Sequence, residues 1–183
     1  MKYIEQYLDA IERLTGQSAA EFFQIKAAPG GVYVAHFKNV PTQGYSTAFS
    51  CGLSTRHHRN WVYAKPELLI SVNSLDDSWG LAMGDIIVRS SPDWTFSYGT
   101  IVRFGEQISS ESEMTDFGIY KNCLYSETAS LLQLESERIH LTQLYPIYAN
   151  EHATIRKKGF EGFFSGDLRT FCNVHRNPIP PGD

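Results

Sequence analysis

The first hydrophobic pattern along the chain is helical. Ile4, Tyr7, Leu8, Ile11 and Leu14 recur every three to four residues, acids and Arg13 fill the opposite face, and Gly16 is placed to end the segment. This predicts an amphipathic helix over about 4–15. Residues 21–26 and 32–37 are aromatic and branched on either side of Ala28-Pro29-Gly30-Gly31, which predicts a β-hairpin. Pro41 to Gly44 turn the chain into another strand over 45–53. The apolar run 67–72 has the character of a central strand, and Asn73-Ser74 with Asp76 and Asp77 marks the start of a helix over about 76–90. That helix carries Trp79, Met83, Ile86 and Ile87 on one face, with Gly80 and Gly84 lowering its propensity. Strands are expected at 96–104 and 116–125, separated by a polar segment from 105 to 115. Residues 138–145 alternate polar and apolar, predicting a strand that stops at Pro146. Residues 150–164 predict a last amphipathic helix, interrupted by Gly159, and the tail 177–183 is too rich in proline for anything but extended chain.

These elements predict an α+β domain, with a mostly antiparallel sheet drawn from the 21–53, 67–72, 96–104 and 138–145 regions and helices packed on one face while the other is partly wet. A length of 183 residues fits one domain over 1–176 with a short Pro-rich tail at 177–183. The 42% hydrophobic content supplies an ordinary core without a disulfide or metal staple.

Charge narrows the function classes. Sixteen bases against 20 acids give a net charge of -4, which lacks the basic footprint of a nucleic-acid binder. No window approaches the roughly 20 apolar residues of a membrane helix. The start of the chain carries acids and no apolar stretch of signal-peptide length, and cysteines 51, 123 and 172 are widely spaced, so a reducing cytoplasm is the expected location.

The search for chemistry yields weak patterns. Gly44-Tyr45-Ser46-Thr47-Ala48 is one glycine short of a nucleophile elbow, and the residues after Ser46 are strand-like, where an elbow needs a helix. A serine hydrolase using Ser46 with one of six histidines is therefore the alternative to a binding protein. His57, His58, Cys172 and His175 hold half of a zinc pattern and read better as loop histidines with an inert buried cysteine. Asp76, Asp77 and Asp85 fit helix capping better than catalysis. Gly159, Gly162 and Gly166 lack the Lys-Ser or Lys-Thr of a phosphate loop. No cofactor, metal or catalytic residue is expected.

One surface feature does point to a partner. Residues 106–137 hold seven acids against Lys121 alone, a local net of -6. Such a field steers a basic partner more than it holds one. The expected contact surface is Glu106, Glu111, Glu113 and Asp116, in a mobile-looking loop, with Phe117 and Tyr120 as apolar anchors; core packing is the competing reading for both rings.

Three stretches together resemble the suppressor-of-fused domain family. The first is Val32-Tyr33-Val34-Ala35-His36-Phe37 through Gly44-Tyr45-Ser46-Thr47 to Cys51-Gly52-Leu53-Ser54. The second is Glu67-Leu68-Leu69-Ile70-Ser71-Val72 followed by a helix, and the third is Leu144-Tyr145-Pro146-Ile147-Tyr148-Ala149-Asn150-Glu151 with Lys158-Gly159 downstream. Their order spans about residue 20 to Arg176, with departures at Cys51 and in the acidic stretch after Gly105. The resemblance implies a single non-catalytic domain that binds a protein partner. Its animal member grips a peptide of a transcription factor, and many bacterial members look like immunity proteins. A compact acidic chain fits a cytoplasmic immunity protein that neutralises a toxin by direct binding, with an adaptor or chaperone-like role also open.

Overall fold

The computed structural model describes residues 2–17, 21–25 and 31–180. Helix α1 (Lys2–Thr15) leads into strands β1 (Glu21–Ile25), β2 (Val32–Lys38) and β3 (Ser46–Cys51). A 3-10 turn at Leu53–Thr55 precedes β4 (Lys65–Val72) and α2 (Ser78–Arg89). Strands β5 (Thr100–Arg103), β6 (Asp116–Tyr120), β7 (Leu131–Gln133) and β8 (Arg138–Ile147) come next, then α3 (Glu151–Phe163) and a 3-10 helix at Leu168–Cys172. Among the described residues the sheet order is β1-β2-β3-β4-β8-β6-β5, with β7 paired to the first residues of β8. Of these pairings only that of β4 with β8 is parallel, with Lys65 opposite Ile139. The fold is thus α+β with a mostly antiparallel sheet in one domain. β1 and β2 pair as the predicted hairpin, Glu21 opposite His36; the Ala28-Pro29-Gly30 turn lies outside the described residues.

Helices cover both faces, which corrects the expectation of a wet one. Alternation along each strand decides which residues meet which helix. Val34, Ala48, Leu68, Ile70 and Leu144 pack with Trp79, Met83 and Ile87 of α2. The neighbouring positions Ala35, Phe37, Phe49, Leu69 and Leu141 pack with Tyr7 and Ile11 of α1. Farther along that second face, Tyr145 and Ile147 pack with Ile155 and Phe163 of α3. β3 and β4 are consequently buried on both sides, and polar side chains there must find partners inside the protein.

Several boundaries differ from the sequence reading for local reasons. Strand 96–104 shrinks to β5 because Phe96 and Gly99 both have positive φ, which breaks an extended run. β6 ends at Tyr120 because the Asn122 carboxamide oxygen accepts from the N–H groups of Leu124 and Tyr125, closing a turn. β8 continues through Pro146 to Ile147: its pairing with β4 ends at Leu144, so the proline sits where β6 alone flanks the strand. β7 is too short to be seen in the pattern. The polar segment at 105–115 is packed, with Ile108 and Met114 buried against the α2 face of the sheet.

Gly80 of α2 has a reason beyond propensity. A Cβ there would lie 2.8 Å from Ala48 Cβ and 3.3 Å from Val34 Cγ1. Alanine would gain up to about 1 kcal/mol of helix propensity and lose about 1–3 kcal/mol by overpacking. Gly80→Ala should therefore lower urea-unfolding stability by about 1 kcal/mol, and adding Ala48→Gly should recover part of the loss. A more stable single variant would contradict this close approach of helix to sheet.

Candidate functional site: an aromatic cleft

The site begins with a buried carboxylate. Glu67, on β4, is fully buried. Its Oε1 accepts from the N–H groups of Gly52 and Ser54, both at 3.0 Å, and from Ser54 Oγ at 2.5 Å; Oε2 accepts from Ser50 Oγ at 2.5 Å. Burial raises its pKa, and the four donors pull against that rise. Gly52 is required here twice over: its φ is 119°, and a Cβ would come within 2.6 Å of the Gly31 carbonyl oxygen. Ser54 also meets the Tyr3 hydroxyl, which ties α1 to the same turn.

From this turn the chain is strung across α2. Arg56 donates through Nη2 to the Ile87 carbonyl at 2.7 Å and through Nη1 to Ser90 Oγ at 3.1 Å, placing a cation on the last turn of α2. His58 reaches the Asp93 carbonyl at 3.0 Å, and its ring lies 5.0 Å from that of Trp61. Residues 61–64 are thereby held beside the start of β4.

There they form one wall of an open cleft of about 700 Å³. Trp61, Tyr63, Phe96 and Tyr98 line it together with Pro66, Leu131, His140 and Thr142, and Glu127 contributes the cleft's carboxylate. Tyr63 is 70% exposed and Tyr98 46% exposed, and each ring has a partner. The Arg138 guanidinium stacks over Tyr63 at 4.9 Å. Tyr98 lies 6.0 Å from the Tyr120 ring, and its hydroxyl is 3.4 Å from His140 Nε2. His140 is turned by Thr142 Oγ1, 3.2 Å from Nδ1. Burial lowers the His140 pKa and Glu127 opposes the shift. The cleft therefore presents partly exposed aromatic groups beside one lining carboxylate, Glu127.

The residues singled out from the acidic segment fare differently. Phe117 is fully buried against the α2 face, and Tyr120 is buried with Phe164 stacked on it and its hydroxyl donating to Glu161. Asp116 is buried, 2.9 Å from His152 Nε2, and accepts from the Phe104 N–H. All three serve the interior, which corrects their reading as surface contacts. Glu111 is exposed but bonds Ser74, and Ser109 of the same loop donates to Asp76 at 2.5 Å, docking the segment on the start of α2. Glu106 and Glu113 remain exposed, with Glu106 3.8 Å from Arg89. Glu111 lies beyond the far end of β4 from the cleft, a strand length of roughly 20 Å away. The sequence reading missed the cleft, whose only signal was Trp61, Val62 and Tyr63 in a segment without periodicity.

The structure places the residues of the weak chemical patterns as follows. Ser46 opens a strand, is buried, and has no side-chain hydrogen bond among the described residues. Among those residues no group of three His, Cys, Asp or Glu side chains could hold a metal. Asp76 accepts from the Ser78 N–H, Asp77 lies 2.7 Å from His36 Nδ1, and Asp85 pairs with Arg89, so each is committed locally.

The comparisons agree with this architecture. The family model described as "Suppressor of fused protein (SUFU)" matches residues 29–176, and the chain belongs to that family. A suppressor-of-fused homologue from Neisseria gonorrhoeae superposes with a TM-score of 0.74 at 13% identity, over 96% of each chain. A chain of the Sufu–Fu complex gives 0.64 at 11% identity, over 95% of this chain and 90% of that one. Drosophila Suppressor of Fused gives 0.66 at 12% identity, and the match spans 96% of this chain but half of that protein. No curated protein matches the chain in sequence.

The buried His36 supplies a pH test of the interior. Its folded pKa is lowered, first by desolvation, with Asp77 opposing. The unfolded chain therefore binds the proton more readily, and the contribution of neutral His36 is lost as pH falls from about 6.5 toward the folded value. Glu67, with its raised pKa, acts in the opposite direction, so the test is a difference. Stability of the wild type minus that of His36→Gln should shrink between pH 7 and pH 5, measured by urea unfolding; a constant difference would remove His36 from the pH dependence.

Proposed function

We propose that this chain is a non-catalytic, cytoplasmic binding domain that takes a protein partner in the aromatic cleft. The partner is a toxin domain of the same or a neighbouring cell, neutralised when its active site is occluded. The observation that carries the reading is the pair of exposed rings, Tyr63 and Tyr98, that line the same cleft, Tyr63 with the Arg138 guanidinium over it. Tyrosine and tryptophan are enriched at binding hot spots because they offer large contact area for little lost freedom. A neighbour by fold, the Sufu–Fu complex, is by its own description a protein assembly. Among the described residues no helix is long and apolar enough to cross a membrane.

The exposed acids Glu106 and Glu113, with Glu111 held by Ser74, belong to the same proposal as steering charges outside the cleft. They act on the association rate and leave adhesion to the aromatic wall. The competing hydrolase reading needs an activated Ser46, which its burial disfavours. An adaptor role would use the same cleft with another polypeptide.

Co-expression with the product of the neighbouring gene tests the reading. The wild type should relieve growth arrest and co-purify with the toxic chain. Tyr63→Ala with Tyr98→Ala should remain folded and weaken binding by about 2 kcal/mol or more, roughly 30-fold in Kd. Glu106→Lys with Glu113→Lys should slow association and flatten its salt dependence. Full protection by the double-alanine variant would move the interface elsewhere, and ester turnover abolished by Ser46→Ala would replace the binding reading with a hydrolase.

A further inference from the structure

Two cysteines far apart in sequence meet beside β8. Cys123, in the turn after β6, and Cys172, at the end of the last 3-10 helix, have their sulfurs 3.7 Å apart. Both are free thiols, Cys172 buried and Cys123 half-buried, so a small oxidant reaches Cys123 first. Gln143 holds the pair in place. Its carboxamide oxygen accepts from the Cys123 N–H at 3.0 Å, and its Nε2 lies 3.5 Å from the Cys172 sulfur. The Cys172 carbonyl is fixed in turn by the Asn73 N–H at 3.0 Å. A fully buried glutamine that uses both ends of its amide on two thiol residues positions them for one another.

From this geometry we infer that Cys123 and Cys172 are a redox modification site, closing to an intramolecular disulfide when the chain meets a hydroperoxide. The sulfurs need to approach from 3.7 Å to about 2.05 Å. The Cys123 thiolate attacks one peroxide oxygen; the S–O bond forms, the O–O bond breaks, and the departing oxygen leaves as water or alcohol after taking a proton. The Cys172 sulfur then attacks the Cys123 sulfenic acid. The S–S bond forms, the S–O bond breaks, and hydroxide leaves as water with the Cys172 proton. Two thiols lose two electrons and two protons, and the peroxide is reduced by the same two electrons.

Exposure supports this order, since Cys123 is the half-buried member of the pair and Cys172 the buried one. The contact with Cys172 also lowers the Cys123 thiol from its ordinary value. Cys51 serves as an internal control, buried among apolar groups and pushed up to about 12.

The full chain, reduced and then treated with one equivalent of hydrogen peroxide at pH 7.5, tests the site by alkylation and mass spectrometry. The monomer should lose two hydrogens, a cross-linked peptide pair should contain Cys123 and Cys172, Cys51 alone should alkylate after unfolding, and dithiothreitol should reverse the change. Cys172→Ser should leave a sulfenic acid at Cys123 that dimedone traps, and Cys123→Ser should resist oxidation at the same dose. Retention of all three thiols in the wild type would overturn the inference, as would an intermolecular or Cys51-containing disulfide as the main product.

Discussion

A carboxylate without access to water sets the local order of this molecule. Glu67 sits in a strand buried on both faces, where an unpaired charge would cost several kcal/mol. Four donors from Ser50, Gly52 and Ser54 answer it, and those residues fold around it because it is there. The end of β3, the turn after it, β4 and, through Tyr3, the first helix meet at one side chain. Arg56 then carries the chain from that turn to the end of α2, and the aromatic segment 61–64 hangs between this anchor and β4. The cleft's first wall is thus the next segment of chain after the turn that Glu67 holds.

A second buried carboxylate works the same way at the other end of the fold. Glu151, at the start of α3, is fully buried; its oxygens accept from Arg176 Nη1 at 2.5 Å and Nη2 at 2.8 Å, from the Tyr148 N–H at 2.9 Å and from the Ile179 N–H at 2.8 Å. Arg176 also donates to the Pro146 carbonyl, so the end of the described chain is latched to β8. Glu67 and Glu151 lie in two of the stretches that carry the family resemblance. Apolar core positions accept exchange at similar volume, but a buried carboxylate demands its particular set of donors. The structural neighbours share only 11–13% of this chain's residues.

This difference also explains what was legible in the sequence. Helices α1 and α3 and strands β2, β3 and β4 announced themselves through periodicity, since each has an apolar face several residues long. The parallel pairing of β4 with β8 was not visible, because register depends on neighbours about seventy residues away. Charge context points Phe117 and Tyr120 to the surface, although their large rings belong to the core. The cleft and the thiol pair escaped for one reason: Trp61, Tyr63, Tyr98 and His140, like Cys123 and Cys172, come from separate loops and strands that only tertiary packing brings together. Cys172 looks inert in the sequence because its partner lies 49 residues away.

Native-state hydrogen exchange of the Gly52 and Ser54 amides measures the role of Glu67 most directly. With Glu67 intact, both amides should exchange about as slowly as those of Leu69 and Ile70 in the centre of the sheet, opening only when the domain unfolds. In Glu67→Gln, which keeps the size but offers one acceptor and introduces two donors, the Gly52 and Ser54 amides should exchange faster by a factor of about 100 or more relative to the Leu69 and Ile70 amides of the same variant, a local loss of about 3 kcal/mol. If the four amides instead shift together, or Gly52 and Ser54 stay as protected as the sheet, the turn holds itself and Glu67 is not its anchor.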